Sequence, residues 1–195
     1  MAYKKDASNL LQIYNEFLAN VGEKKTLQQL VESIIKRKGK VVVLDVGSGN
    51  AGALAELKTQ YANKIEVRGI DLEDLDSEKK SKIDVFVNGD FLDVELPQKN
   101  DIVFSFRTLH EVGEIEKIVS KIEQSLAPLG KAVLLIRVRD ENGALEGEVQ
   151  EDDGEFIVKL AKKGKMGKSN AKIVAAFDEK QEFITGVVLK LERQG

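Results

Sequence analysis

Apolar residues recur at helical spacing through the first forty positions. Leu10, Leu11, Tyr14, Phe17, Leu18 and Val21 form one stripe, and Leu27, Leu30, Val31, Ile34 and Ile35 form a second. Gly22 separates the two and Gly39 closes the second, because a glycine just past a helical stripe accepts the conformation that ends a helix. The pattern then changes to continuous apolar runs alternating with further stripes. Runs at 40–45, 65–70, 83–87, 102–106 and 132–138 predict strands. Leu54, Leu57 and Tyr61 mark a helix behind the first run; Ile115, Ile118, Val119, Ile122 and Leu126 mark another between the fourth and fifth. The link 72–82 is short for a crossover helix and predicts only a turn or two. At the end of the chain, 173–177 and 185–191 are β-rich and flank a charged run, which predicts an antiparallel hairpin.

Continuous apolar strands alternating with amphipathic helices imply a mainly parallel sheet covered on both faces. The expected fold is α/β and Rossmann-like: a doubly wound, mainly parallel seven-stranded sheet with a C-terminal antiparallel hairpin and an N-terminal helical extension. No internal repeat or Ser/Pro-rich linker interrupts the chain. One domain over 1–195 is expected, with 1–38 as a helical cap and 40–195 as the core.

Composition narrows the chemistry. The chain has no cysteine, which removes disulfides, thiolate zinc sites, iron–sulfur clusters and cysteine nucleophiles. His110 is the only histidine, so no metal site is expected. A net charge of −3 argues against generic nucleic-acid binding. No apolar stretch approaches the roughly 18 residues of a membrane span, and the first residues lack the apolar block of a signal peptide. A cytoplasmic location is the default expectation.

The first apolar run ends in Asp45-Val46-Gly47-Ser48-Gly49-Asn50-Ala51-Gly52. Strand, glycine-rich turn and helix in that order hold a nucleotide-like ligand, since glycines turn sharply and let the backbone approach it. The helix start is expected to offer unpaired N–H groups to polar ligand atoms. Gly47, Gly49 and Gly52 also satisfy the dinucleotide fingerprint, with Asp71 ending the next strand as a ribose ligand; an NAD(P)-dependent reductase is therefore one alternative. Asp45 points elsewhere. A carboxylate there repels a pyrophosphate but suits a ligand that carries an ammonium and a sulfonium. Gly89-Asp90-Phe91 places a second acid and an aromatic ring just after the third strand.

These residues together resemble the class I S-adenosylmethionine-dependent methyltransferases. The family's first motif, acid-x-Gly-x-Gly-x-Gly, matches 45–51 with Ala51 in the last glycine position. The run 101–112 looks like its fourth-strand motif, and Leu126-Ala127-Pro128-Leu129-Gly130-Lys131 is similar to its turn into the fifth strand, with Leu129 replacing a glycine. The resemblance implies S-adenosyl-L-methionine as cofactor. Asp45, Gly47, Ser48 and Gly49 would hold its methionine part, Asp71 its ribose, and Leu72, Asp90 and Phe91 its adenine; Ser105 is a further candidate contact. His110, beside Glu111, is a candidate general base, and Arg107 a candidate substrate ligand. The helical preface would lie across the cofactor mouth.

The expected partner is a methyl acceptor, a small molecule in the first instance, with RNA (including rRNA) or protein as alternatives; a degenerate fold that only binds is the remaining one. The chain lacks the cysteine commonly used at cytosine carbon 5 and the Asn/Asp-Pro-Pro run common among adenine amino-methylating enzymes. The acidic run from Asp140 to Glu155 and the lysines from Lys159 to Lys172 read as solvated surface. Gly164-Lys165-Met166-Gly167-Lys168-Ser169 imitates the end of a P-loop but has Lys162 where the motif needs glycine.

Overall fold

The computed structural model describes residues 11–12, 14–15, 18, 24–106, 108–109, 112–137, 150–177 and 184–195. Helix α1 (Leu27–Lys38) begins where the sequence supplies a reciprocal cap: Thr26 Oγ1 accepts from Gln29 N, and Gln29 Oε1 accepts from Thr26 N. Lys36, Arg37 and Lys38 crowd its last turn, where the helix dipole favours cations, and Gly39 ends it at φ +80°. There follow β1 (Val41–Val46), α2 (Gly52–Tyr61), β2 (Ile65–Asp71), the four-residue α3 (Ser77–Lys80), β3 (Val85–Asn88) and β4 (Asn100–Phe106). Helix α4 (Ile115–Ser125), β5 (Leu126–Arg137), α5 (Glu151–Lys163), β6 (Lys165–Met166), β7 (Ser169–Phe177) and β8 (Ile184–Arg193) complete the order.

All eight strands join one sheet in the order β3-β2-β1-β4-β5-β8-β7-β6. The first five are parallel, while β8 runs antiparallel to β5 and is followed by the β7 and β6 antiparallel pairs. The sheet therefore has eight strands where seven are expected from the sequence. The extra strand is the two-residue β6, too short to show any periodicity. It lies in the P-loop imitation, which is a hairpin: Gly167 turns at φ +53°, and the buried Glu123 carboxylate accepts from Lys168 N and Ser169 Oγ at 3.0 Å each. A Cβ on Gly167 would stand 2.7 Å from Glu123 Oε2.

Alternation along the strands divides the core. Val41, Val43, Val67, Ile102 and Phe104 face α1 and α2, and Leu11 and Leu18 of the preface join that cluster. Leu44, Val46, Val103, Leu134 and Ile136 face α4 and α5. The preface is tied down by Asn15, whose side chain accepts from Leu27 N and donates to Gln28 Oε1, both at 2.8 Å. Its described residues thus pack on a sheet face. At the start of β5 the register shifts against β4. Leu129, standing where the family carries glycine, adopts φ +63° there. Among the described residues, no helix is long and apolar enough to cross a membrane.

Two acids sew the amino-terminal edge of the sheet. Asp84 accepts from Val67 N at 2.9 Å and from Lys58. Asp101, only 3% exposed at its side chain, accepts from Val42 N at 3.0 Å and from Lys38 Nζ at 2.5 Å. Each gives a partner to an edge N–H of the neighbouring strand. Asp101→Ala leaves that N–H unpaired inside the protein and is expected to cost about 2–4 kcal/mol, read as a lower urea midpoint with unchanged slope.

Candidate active site

Parallel pairing of β1 with β2 sets Val46 beside Ile70, so the glycine turn leaves β1 next to the end of β2. Gly47 N and Ser48 N both donate to Ile70 O, at 2.9 and 3.0 Å. Gly49 N donates to Asp71 Oδ2 at 2.7 Å, and Asp71 Oδ1 accepts from Glu73 N at 3.0 Å. Ala51 N donates to Ser48 O and Gly52 N to Asn50 Oδ1. All five amides donate within the chain; of the helix start, where unpaired N–H groups are expected from the sequence, Ala51 N and Gly52 N are therefore already paired. What the turn presents to a ligand is glycine backbone and carboxylate oxygen. Gly47 (φ +77°) and Gly49 (φ +54°) take left-handed conformations, as does Ala51 (φ +55°).

Beyond the turn, between the carboxyl ends of β2 and β3 and the segment after β4, opens a cleft of about 350 Å³. Asp71, Leu72, Asp90 and Phe91 line it together with Gly47. Phe91 is 6% exposed, whereas Leu72 is 72% exposed on the lip. Behind Phe91, Lys121 of α4 donates to Phe91 O and Leu92 O at 2.8 and 2.9 Å, with its ammonium 5.4 Å from the ring centre. Asp90 Oδ1 accepts from Leu92 N at 2.8 Å, closing a tight turn. Each oxygen of these carboxylates keeps lone-pair capacity for a ligand.

Four expected cofactor residues stand outside the lining. Gly49 is adjacent and open, with nothing within 4 Å of where a Cβ would be. Ser48 packs toward β2: its Oγ lies 2.8 Å from the Cβ position of Gly69. Ser105 is fully buried and donates to Val46 O at 2.8 Å, so its one proton links β4 to β1 rather than facing the cleft. Arg107, His110 and Glu111 lie outside the described residues. Sequence reasoning missed Thr108 and Val112, which line the cleft. Thr108 packs on Gly47 so closely that a Cβ there would sit 2.0 Å from its Oγ1. Both lie in the 101–112 run that resembles the family's fourth-strand motif, which was the signal that could have found them.

Asp45 is the fourth expected residue outside the lining, sunk into the sheet opposite Gly69 and 1% exposed. Tyr14 Oη donates to its Oδ2 at 3.3 Å, while among the described residues Oδ1 and the buried Ser48 Oγ have no partner. Burial pushes Asp45 up to about 8, with the Tyr14 bond opposing and the Asp71 charge adding to the rise. Burial, then the Asp45 charge, push the Tyr14 hydroxyl well above its ordinary value.

Comparison with known proteins agrees with this geometry. The family model described as a methyltransferase domain matches residues 44–134, from β1 into β5. Just under half of the chain thus matches a methyltransferase domain, and its fold is that of S-adenosylmethionine-dependent methyltransferases. That match supports an enzyme, a methyltransferase. Solved methyltransferase structures share the fold at low identity. The Burkholderia thailandensis 1,6-didemethyltoxoflavin-N1-methyltransferase, solved with 1,6-didemethyltoxoflavin and S-adenosylhomocysteine, aligns with a TM-score of 0.52 at 14% identity, covering 97% of this chain and 87% of that one. A TehB-like SAM-dependent methyltransferase from Corynebacterium glutamicum aligns at 0.53 and 18% identity, covering 96% and 98%. No curated protein matches the sequence.

Two outcomes follow for variants. Gly47→Ala must displace Thr108 as well as strain φ, whereas Gly49→Ala meets only the conformational cost of about 1 kcal/mol. Thermal melts should therefore rank Gly47→Ala as clearly the more damaging. For Asp45, the folded form holds a proton that the unfolded chain releases near pH 4. Stability is accordingly expected to fall as pH rises from about 4 to about 8. Asp45→Asn should remove that fall, raising the Tm of the free protein by several degrees at pH 8 and little at pH 4.

Proposed function

We propose that this methyltransferase delivers its methyl group in line to an oxygen, nitrogen or carbon nucleophile of a small molecule. One observation carries the reading of the site: Asp71 and Asp90, at the ends of adjacent strands β2 and β3, share one cleft with Leu72 and Phe91. Asp71 accepts the two ribose hydroxyls as charge-assisted bonds. Asp90 accepts from the adenine amino group, while Phe91 and Leu72 supply the apolar faces for the base. A buried carboxylate with an unpaired oxygen fits the cationic amino-acid end of S-adenosylmethionine, and Asp45 is that carboxylate. Inward pairing of the turn amides agrees with this ligand, because sugar and base offer donors here and need acceptors.

The cofactor, when bound, supplies a methyl on a sulfonium that is already a good leaving group. The chain therefore need only align the acceptor and, where the nucleophile carries a proton, remove it. His110 and Glu111 are proposed for that proton and Arg107 for an anionic group of the acceptor. Their place in the chain supports this, since Thr108 and Val112 on either side of His110 and Glu111 both line the cleft.

A small acceptor is favoured over RNA by charge. Among the described residues the cleft lining contains two carboxylates and no lysine or arginine, which disfavours a phosphate backbone. The fold also accommodates 1,6-didemethyltoxoflavin beside S-adenosylhomocysteine in the Burkholderia protein.

Calorimetric titration tests the assignment. S-adenosylmethionine and S-adenosylhomocysteine are expected to bind at micromolar concentration, and Asp71→Ala to weaken both by about 10–100-fold, the loss of hydrogen bonds to a charged acceptor. Absence of heat with both ligands overturns it.

A further inference from the structure

Among the described residues, the N-terminal preface reaches Asp45 through Tyr14. The Tyr14 ring packs edge-on against Phe104, centroids 5.0 Å apart, and lies 4.6 Å from Phe106. These contacts aim its hydroxyl at Asp45 Oδ2. The result is an acid with one oxygen held by the preface and the other, among the described residues, left without a partner in the protein interior. Unpaired buried acceptors are rare in folded proteins and call for an explanation, a donor from a bound ligand being one.

We propose that Tyr14 is a positioning residue for the cofactor: it fixes Asp45 through Oδ2, reserves Oδ1 for the ligand's ammonium group, and so couples seating of the preface to cofactor binding. The inference rests on the reading of the cleft given above. Its logic is electrostatic. Tyr14, from the preface, and Asp71, from the end of β2, are the titratable groups acting on Asp45, and among the described residues Asp45 has no ion-pair partner. An arriving ammonium therefore meets an acid held in its neutral form by burial, and binding ionises it, releasing one proton. Once ionised, Asp45 accepts a charge-assisted bond from Tyr14, stronger than the bond in the free protein. The preface is then held more firmly when the cofactor is present. By linkage, a seated preface strengthens cofactor binding by the same factor. The acceptor then meets a protein whose preface the cofactor has already locked.

The test compares S-adenosylhomocysteine binding by wild type, Tyr14→Phe and Asp45→Asn across pH 6 to 8.5. Wild-type affinity should rise with pH toward about 8, as Asp45 becomes easier to ionise. Tyr14→Phe keeps the ring and its packing, so it should remain folded. It is expected to bind about tenfold more weakly at pH 7, the cost of one lost bond to a charged group, with its pH rise displaced upward. Asp45→Asn should bind weakly with no rise. Hydrogen exchange gives the reciprocal readout: the ligand should slow the amides of 11–18 in wild type and not in Tyr14→Phe. If Tyr14→Phe matches wild type in affinity and pH profile while Asp71→Ala is weakened, the role of Tyr14 fails and the cofactor site stands. A pH rise retained in Asp45→Asn overturns the role of Asp45. A wild type that binds neither cofactor form overturns both readings together.

Discussion

A 2.7 Å hydrogen bond from the Gly49 amide to the Asp71 carboxylate joins the two strand ends on which the rest of the site is built. It binds the glycine turn to β2, and the bifurcated acceptance by Ile70 O reinforces it one residue earlier. Because the turn is anchored to its neighbour strand, its flexible glycines are held in one conformation and Ala51 is kept in a left-handed one that is unfavourable alone. Asp71 is thereby fixed from two sides by backbone donors, which leaves an oriented acceptor instead of a swinging side chain. The cleft inherits its shape from that arrangement, with β3 and the Asp90 turn as its far wall and Lys121 bracing that wall from behind.

The aspartates of this sheet divide by strand polarity. Those at the amino ends, Asp84 and Asp101, are consumed by backbone N–H groups and lysines and serve the fold. Those at the carboxyl ends, Asp45, Asp71 and Asp90, retain unused acceptor capacity. The same residue type is thus structural or chemical according to which edge of a parallel sheet it occupies. A parallel sheet produces this division because all its carboxyl ends share one edge, where the switch in strand order between β1 and β4 opens a crevice.

The sequence made the sheet's parallel half legible because each strand there is a continuous apolar run and each helix a clean stripe. The terminal hairpin was legible for its β-branched content. Strand β6 was not, since two residues carry no period, and neither was the start of β5, where Leu126 continues the helical stripe of α4 while already pairing with Asn100. Asp71, Asp90 and Phe91 were readable because motif position and strand end coincide. Ser105 was misplaced because period alone cannot tell that a hydroxyl has found a backbone carbonyl on the next strand. Tyr14 was read as part of an apolar helical stripe, and it packs, partly buried, against the core. That it also touches Asp45 depends on how a helical segment docks across 31 positions of chain, a three-dimensional fact with no local signature. The glycine spacing also admitted a nicotinamide cofactor; Asp45 and the order of later motifs, rather than the glycines, separated the two.

The placement of β8 has a consequence for how the chain is made. It lies between β5 and β7, in the interior of the sheet, although it is the last of these eight strands in chain order. While a ribosome is still translating, β5 has an open edge and β7 no partner on its inner side. Until positions 184–193 emerge, both present bare backbone to solvent and to other chains. Closure of the sheet by long-range pairing is intrinsically slow, so that interval is when nascent copies are most exposed to mispairing and to capture by chaperones.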